Sequence, residues 1–170
     1  MVGTDTVNEV TPAGTGFECY GFTKKNARFD VACHITLDGD TIVTGDPSDS
    51  TSGFHAGAAY VFARLGTVWS EQQKLLASDG APGDRFGSSV SVDDDTAIVG
   101  TVRGVVYIGS AYAFVRTGSL WTEQQKLVAS DGALEDSFGT SVCVSGDTAV
   151  VGARWDDTIA GPDAGSAYIF

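Results

Sequence analysis

Aspartate residues gathered in loops are the clearest candidates for chemistry in this sequence. Asp156, Asp157 and Asp163 lie close together in one loop. Carboxylate oxygens are the ligands that Ca²⁺ prefers, so these three are the candidate metal ligands, for a weak calcium site at most, and no cofactor is required. Aspartate also forms turns by accepting hydrogen bonds from nearby backbone amides. We favour the turn interpretation, because the DxDxDG spacing of a calcium loop is absent from the sequence.

Further residues are candidates for contact with a ligand because they lie in or beside loops that differ between repeats. They are Asp46, Asp49, His55, Arg103 and Trp155. The sequence contains no nucleophile elbow, phosphate-binding loop, zinc-hydrolase motif or dinucleotide fingerprint. A non-enzymatic protein is therefore predicted, and acid–base chemistry by dispersed carboxylates is the alternative.

The balance of charge excludes some classes of partner. Ten Lys and Arg stand against 22 Asp and Glu, for a formal net charge of −12. Nucleic-acid binding needs clustered basic residues that neutralise phosphates, so no nucleic-acid partner is expected. No apolar run approaches the roughly 20 residues of a membrane helix, and the first residues lack the pattern of a signal peptide. Membrane insertion is therefore not expected.

The cysteines indicate little about the redox environment. Cys19, Cys33 and Cys143 allow at most one internal disulfide, and no zinc-type spacing joins them to histidine. Burial as a small apolar residue is the favoured role for Cys143. Whether Cys19 and Cys33 form a disulfide stays open.

The sequence repeats itself at an interval of 52 residues. The segment that begins at Trp69 (WSEQQKL) recurs at Trp121 as WTEQQKL, and the aspartate of the ASDGA segment recurs from Asp79 to Asp131. A third motif, Ala-Tyr-Xaa-Phe, appears three times, at 59–62, 111–114 and 167–170. Such a period is typical of a repeat architecture, in which each unit is one supersecondary element.

Each repeat is predicted to hold four short antiparallel strands. Residues 88–92 alternate between apolar and polar side chains, residues 96–100 form a continuous apolar run, and residues 111–116 alternate again. The more polar fourth strand, 121–129, suits an outer edge, since charged residues there block stray pairing. Four antiparallel strands repeated at about 50 residues are typical of a β-propeller blade. Because they hold fixed places in the repeat, Phe86, Phe138 and the repeated Trp121 are predicted to pack between neighbouring blades.

The repeats resemble the FG-GAP family, which builds the N-terminal propeller of integrin α subunits. The resemblance rests on Phe138-Gly139 followed by Val150-Val151-Gly152-Ala153, with Arg154 where the motif has proline. It implies an adhesion or ligand-binding propeller at the cell surface or outside the cell. Integrin-type blades carry a calcium loop between their first two strands. Here that connection is too short to surround a cation in any repeat.

Differences in length between the repeats are confined to the loop between strands two and three. In a repeat protein such insertions usually mark the binding face. In an antiparallel meander this loop shares one end of the sheet with the loop that joins successive blades. That end is therefore predicted to be an acidic face with these members: Asp46, Asp49, Asp79, Asp84, Asp131, Asp136, Asp156, Asp157 and Asp163.

The predicted organisation is a tail at 1–15 followed by an FG-GAP-like propeller segment at 16–170. Within that segment we place a fourth strand at 16–23, blade one at 31–77, blade two at 86–129 and blade three, without its fourth strand, at 138–170. Three blades do not easily close a ring, since propellers usually have about four to eight. A closed homodimer and a continuation of blades in a longer chain are both kept as hypotheses.

The predicted function is a non-enzymatic binding or adhesion module whose variable loops meet a protein or glycan ligand. The alternatives are a propeller hydrolase or lyase, an accessory domain of an enzyme, or a purely structural repeat of a larger surface protein.

Overall fold

The computed structural model describes residues 34–102 and 108–170. These residues form strands, turns and loops without a helix, and no segment in them is a helix able to cross a membrane. The predicted strand four at 16–23 and the tail at 1–15 lie outside the described residues. The strands are β1 (Ile35–Asp38), β2 (Thr41–Asp46), β3 (Ala58–Leu65), β4 (Val68–Leu75), β5 (Ser89–Asp93), β6 (Thr96–Thr101), β7 (Ser110–Thr117), β8 (Leu120–Leu127), β9 (Phe138–Ser145), β10 (Thr148–Ala153) and β11 (Ser166–Ile169).

The strands form three separate antiparallel sheets, each a simple meander. Sheet one has the order β1-β2-β3-β4, sheet two has β5-β6-β7-β8, and sheet three has β9-β10-β11. The predicted all-β fold of four-stranded blades is therefore confirmed for the first two repeats, and the third repeat contains three strands within the described residues. The repeats agree even in their irregularities, because the pairing of β3 with β4 and that of β7 with β8 shift register at equivalent positions.

Two-residue turns join the first two strands of every sheet. They lie at 39–40, 94–95 and 146–147, and the first residue of each has a φ between 50° and 54°. Glycine or aspartate occupies that position in each case, as expected for tight hairpins. These turns project from the end of the sheets opposite to the variable loops.

The core lies between the sheets, in two clusters. Val43, Ala59 and Val61 of sheet one pack against Val99 and Tyr112 of sheet two, and the side chains of all five are buried. A second cluster joins sheet two to sheet three in the same way. Paired neighbours in a sheet point to the same side, so each sheet has two apolar faces, one toward the preceding sheet and one toward the following sheet.

The repeated phenylalanine fills the junctions between sheets, as predicted from the sequence. Phe86 and Phe138 are both buried. Each ring packs edge to face against a tyrosine ring of the same repeat, Phe86 against Tyr112 at a centroid distance of 5.5 Å and Phe138 against Tyr168 at 5.4 Å. The following glycine lets the two backbones approach. Gly87 and Gly139 have φ values of 92° and 87°, and a Cβ on either would clash with a carbonyl oxygen of the preceding sheet.

Trp121 is also part of the first junction. Its side chain is buried, its indole N–H donates to Gln72 Oε1 at 3.0 Å, and its backbone N–H donates to Gln73 Oε1 at 2.8 Å. The predicted packing of this tryptophan between blades is confirmed. The prediction of a buried Cys143 is wrong: its side chain is exposed on sheet three, on the side where the described residues contain no following sheet.

Candidate functional site

Loops gather at one end of the three sheets and form what we call the loop face. Its described members are residues 47–57, 76–88, 102, 108–109, 128–137 and 154–165. Neighbouring loops are joined by backbone hydrogen bonds: Gly83 donates to Phe54 at 2.9 Å, and Trp155 donates to Asp136 at 3.1 Å. The predicted gathering of the variable loops and the blade-joining loops at one end is confirmed.

The aspartates of the loop face are occupied by contacts within the protein. Asp49 accepts hydrogen bonds from the Tyr60 hydroxyl at 3.0 Å, from Lys74 Nζ at 2.8 Å and from the Thr51 backbone at 2.9 Å. Lys74 Nζ also lies 5.4 Å from the centre of the Tyr60 ring. We call this arrangement of tyrosine, aspartate and lysine a tyrosine anchor.

A second tyrosine anchor occurs in the next repeat. Asp79 accepts hydrogen bonds from the Tyr112 hydroxyl at 2.8 Å and from Lys126 Nζ at 2.6 Å. The tyrosine and the lysine are direct cross-strand partners, as in the first repeat. The aspartate comes from a different loop, however: Asp49 lies in the loop between β2 and β3, whereas Asp79 lies between β4 and β5.

The third repeat brings both kinds of aspartate to one tyrosine. The hydroxyl of Tyr168 lies 2.7 Å from Asp131 Oδ1 and 3.1 Å from Asp156 Oδ2. Asp131 belongs to the loop between sheets, and Asp156 belongs to the loop between β10 and β11. Because Asp156 is buried against the tyrosine, its carboxylate serves the fold.

The tyrosine anchors change the acidity of their members. Burial opposes charge on Asp49, but the hydrogen bonds from Lys74, Thr51 and Tyr60 outweigh it and lower the pKa of Asp49 to about 2. The hydrogen bond from Lys126 lowers the pKa of Asp79. Both carboxylates therefore remain charged and paired at neutral pH.

Other aspartates hold turns through their side chains. Asp84 Oδ2 accepts from the Ala81 backbone at 2.8 Å, and Asp46 Oδ1 accepts from the Ser48 backbone at 3.1 Å. Burial raises the pKa of Asp46, and the hydrogen bond from Ser48 acts in the opposite direction. The turn interpretation of the acidic loops is confirmed for these residues.

The structure does not bring the three candidate metal ligands together as a cation site. Asp156 is turned inward to Tyr168, and Asp157 Oδ1 accepts from the backbone N–H of Asp163 at 2.9 Å. Within 34–102 and 108–170, no group of three or more His, Cys, Asp or Glu is placed to hold a metal ion. A weak calcium site at these residues stays a prediction without support from this geometry.

The remaining ligand candidates include an aromatic residue at a loop surface. The Trp155 side chain is 43% exposed, and the Arg154 guanidinium lies 4.4 Å from its ring centre. His55 lies in the loop between β2 and β3 at φ 51°, where its ring stacks on Phe54 at 4.0 Å. Arg103 lies outside the described residues.

Sequence reasoning missed two features of this face. It did not connect Tyr112 and Lys126 with Asp79, because the first repeat makes the same contact with Asp49 from a different loop. It also missed the exposed apolar side chains of Phe54 and Ile159, because an isolated hydrophobic residue in a loop gives no pattern.

Comparison with known proteins identifies the repeats. The family model described as the FG-GAP repeat matches residues 69–114 and 121–170. These two spans cover sheet three, most of sheet two and nearly all of β4, and together they make up more than half of the chain. A search of curated proteins gave no match.

Proposed function

Because the chain belongs to the FG-GAP repeat family, we propose that it is a non-enzymatic binding module, at the cell surface or outside the cell, whose loop face meets a protein or glycan ligand. Repeats of this family suggest a β-propeller module, and such modules often bind ligands. The proposal concerns what this loop face binds and through which residues.

The observation that carries the proposal is the exposure of large side chains in the loop between β2 and β3 and in the loop between β10 and β11. Phe54 is 73% exposed, Trp155 is 43% exposed, and Ile159 is fully exposed. Tyr112 and Phe138, which belong to repeated motifs, are buried by contrast. Exposed aromatic residues dominate the energetics of protein interfaces, and they also stack on sugar rings.

The carboxylates of the face support an apolar rather than an ionic mode of binding. Asp49 and Asp79 are neutralised by Lys74 and Lys126, and the buried Asp84 is used within its own turn. Truncating an aromatic residue should therefore weaken a ligand more than truncating an aspartate.

The binding proposal is tested with two immobilised probes, a printed glycan array and a phage-displayed random peptide library. The labelled chain is expected to retain a reproducible set of glycans or peptides. Phe54→Ala and Trp155→Ala should reduce that binding by about tenfold or more, the size of a hot-spot truncation.

Leu120→Ala is the matched control. Leu120 is an exposed apolar residue at the start of β8, at the opposite end of the sheets from the loop face. Its truncation should leave binding unchanged. If neither probe is retained, or if retention is the same in all three variants, the loop face is not a binding site of this kind.

A further inference from the structure

Two aspartate–glycine pairs occur in identical sequence contexts on the loop face. Asp79-Gly80 and Asp131-Gly132 both lie in the segment Ala-Ser-Asp-Gly-Ala, the first between sheets one and two and the second between sheets two and three. An aspartate followed by glycine is especially prone to isomerisation, because glycine has no side chain to hinder attack by its backbone nitrogen. Since the immediate neighbours are the same, a difference in reactivity between the two pairs should come from the folded structure.

The isomerisation joins the aspartate side chain to its own backbone. The glycine nitrogen attacks Cγ of the neutral carboxyl group and loses its proton, and the carboxyl hydroxyl leaves as water, which closes a five-membered succinimide ring. Water then adds to one of the two ring carbonyls. Breaking the bond from nitrogen to Cγ restores aspartate, whereas breaking the bond from nitrogen to the backbone carbonyl carbon gives isoaspartate. The water that is lost in the first step is regained in the second, so no other reactant is needed.

Asp79 is restrained at both of its carboxylate oxygens. Oδ1 accepts a hydrogen bond from the Tyr112 hydroxyl at 2.8 Å, and Oδ2 accepts one from Lys126 Nζ at 2.6 Å. The preceding residue is held as well, because Ser78 donates to the Glu123 carboxylate from its backbone N–H at 2.9 Å and from Oγ at 2.7 Å. The hydrogen bond from Lys126 also lowers the pKa of Asp79, so the neutral carboxyl that the reaction needs is scarcer at neutral pH.

Asp131 shares its hydroxyl donor with a second carboxylate. The Tyr168 hydroxyl lies 2.7 Å from Asp131 Oδ1 and 3.1 Å from Asp156 Oδ2. A hydroxyl group has one hydrogen to donate, so only one of the two carboxylates can accept it at a time. Because Asp156 is buried and Asp131 is exposed, water can replace the hydroxyl more readily at Asp131. The Asp131 carboxyl is therefore able to turn toward its own backbone for part of the time.

The attacking nitrogen is also held less firmly in the second of the two pairs. The Gly80 N–H donates to the Ala77 carbonyl oxygen at 3.1 Å, whereas the equivalent bond from Gly132 to the Ala129 carbonyl oxygen is 3.5 Å long. Hydrogen bonds between backbone groups are usually about 2.9–3.0 Å long, so the bond at Gly132 is weak. Attack requires the nitrogen to give up this bond, and Gly132 therefore loses less than Gly80 does.

We propose that Asp131-Gly132 is a site of spontaneous isoaspartate formation, and that the tyrosine anchor of Asp79, Tyr112 and Lys126 protects the identical pair Asp79-Gly80 from the same reaction. Isoaspartate adds one carbon atom to the main chain between sheets two and three, so the modification alters the loop face itself. The anchor with a lysine thus has a chemical role in addition to its structural one.

Peptide mapping of the aged chain measures both sites in one sample. The folded chain is kept at neutral pH and body temperature for several weeks and then digested with trypsin, which separates the sites into peptides 75–85 and 127–154. Chromatography with electron-transfer fragmentation distinguishes isoaspartate from aspartate. Isoaspartate should accumulate at Asp131 about fivefold faster than at Asp79, the factor that one exposed ion pair can supply. In the chain unfolded in guanidinium chloride the two rates should be equal, because the neighbouring residues are the same.

Two lysine variants separate the effect of the anchor from that of the fold as a whole. Lys126→Met removes the ammonium group from Asp79 and should raise the rate there by about threefold or more, with the rate at Asp131 unchanged. Lys74→Met is the matched control, because Lys74 pairs with Asp49, which is followed by serine, and it should change neither rate. Circular dichroism should show that both variants are folded. Equal rates at the two sites in the folded chain, no isoaspartate at Asp131 while the unfolded chain forms it, or an unchanged rate at Asp79 in folded Lys126→Met would each overturn the proposal.

Discussion

Replacing Phe138 with alanine tests whether the second junction holds the blades together as its contacts indicate. The Phe138 ring is fully buried between sheets two and three. It meets Tyr168 edge to face at 5.4 Å and Phe170 at 6.1 Å. Truncation to a methyl group would leave a cavity at the point where the two sheets come closest.

The expected cost follows from burial and from the freedom of the neighbours to relax. Truncation of a buried phenylalanine costs about 3–5 kcal/mol, and less where the site can collapse. Phe170 is half-exposed and sheet three is covered on one side only in the described residues, so this junction can close partly around the cavity. We expect about 3–4 kcal/mol for Phe138→Ala and about 4–5 kcal/mol for Phe86→Ala, which lies between two four-stranded sheets.

The assay is urea unfolding followed by circular dichroism, at the same protein concentration for every variant. Trp155→Ala is the control: its ring is 43% exposed on the loop face, so its loss should cost under about 1 kcal/mol. If Phe138→Ala cost under about 1 kcal/mol, or less than Trp155→Ala, the assignment of scaffold and surface in the third repeat would be refuted.

Other predictions concern pH, the tyrosine anchors, the junction glycine and calcium. The folded pKa of Asp49, about 2, lies below an unfolded value of about 3.9. Asp49 therefore stabilises the fold above pH 4 and loses its contribution as the pH falls toward 2. When the pH is lowered from neutral toward 2, the unfolding free energy of Asp49→Asn should therefore fall by about 1 kcal/mol less than that of the unmodified protein. This figure allows for solvent screening of the Lys74 pair. Tyr112→Phe removes a hydroxyl donor to Asp79 and should lower the unfolding free energy by about 1 kcal/mol in urea titrations. Gly139→Ala, at φ 87° and facing a carbonyl oxygen, should cost about 2 kcal/mol or more by the same method. Thermal melts with calcium and with a chelator should differ only slightly, and a shift above about 10 °C would show a filled tight site.

The strands and the junctions could be predicted from the sequence because a pattern that is ambiguous in one repeat recurs in the others. A single run such as residues 96–101 is ambiguous, but the same run at 148–153 with the same flanking turns fixes both as central strands. Phe86 and Phe138 were recognised as junction residues for the same reason. Their glycine partners confirmed that two backbones come close at these points.

The roles of individual loop residues could not be predicted, because they depend on which loop reaches which tyrosine. Asp49 and Asp79 make the same contact from different loops, so no fixed spacing relates them to Tyr60 and Tyr112. Cys143 is exposed because the described residues contain no sheet that follows sheet three, which its own strand does not reveal. Its alternating pattern is the same as that of a strand covered on both sides.

The period of the chain separates the residues that build the fold from those open to another use. Side chains that recur at 52 residues, such as Phe86 and Phe138, are consumed by contacts between blades. Side chains that break the period on the loop face, such as Phe54 and Trp155, remain accessible. A repeat protein can change its ligand by altering the second group while it keeps the first, because Phe54 and Trp155 are not among the buried residues of the junctions.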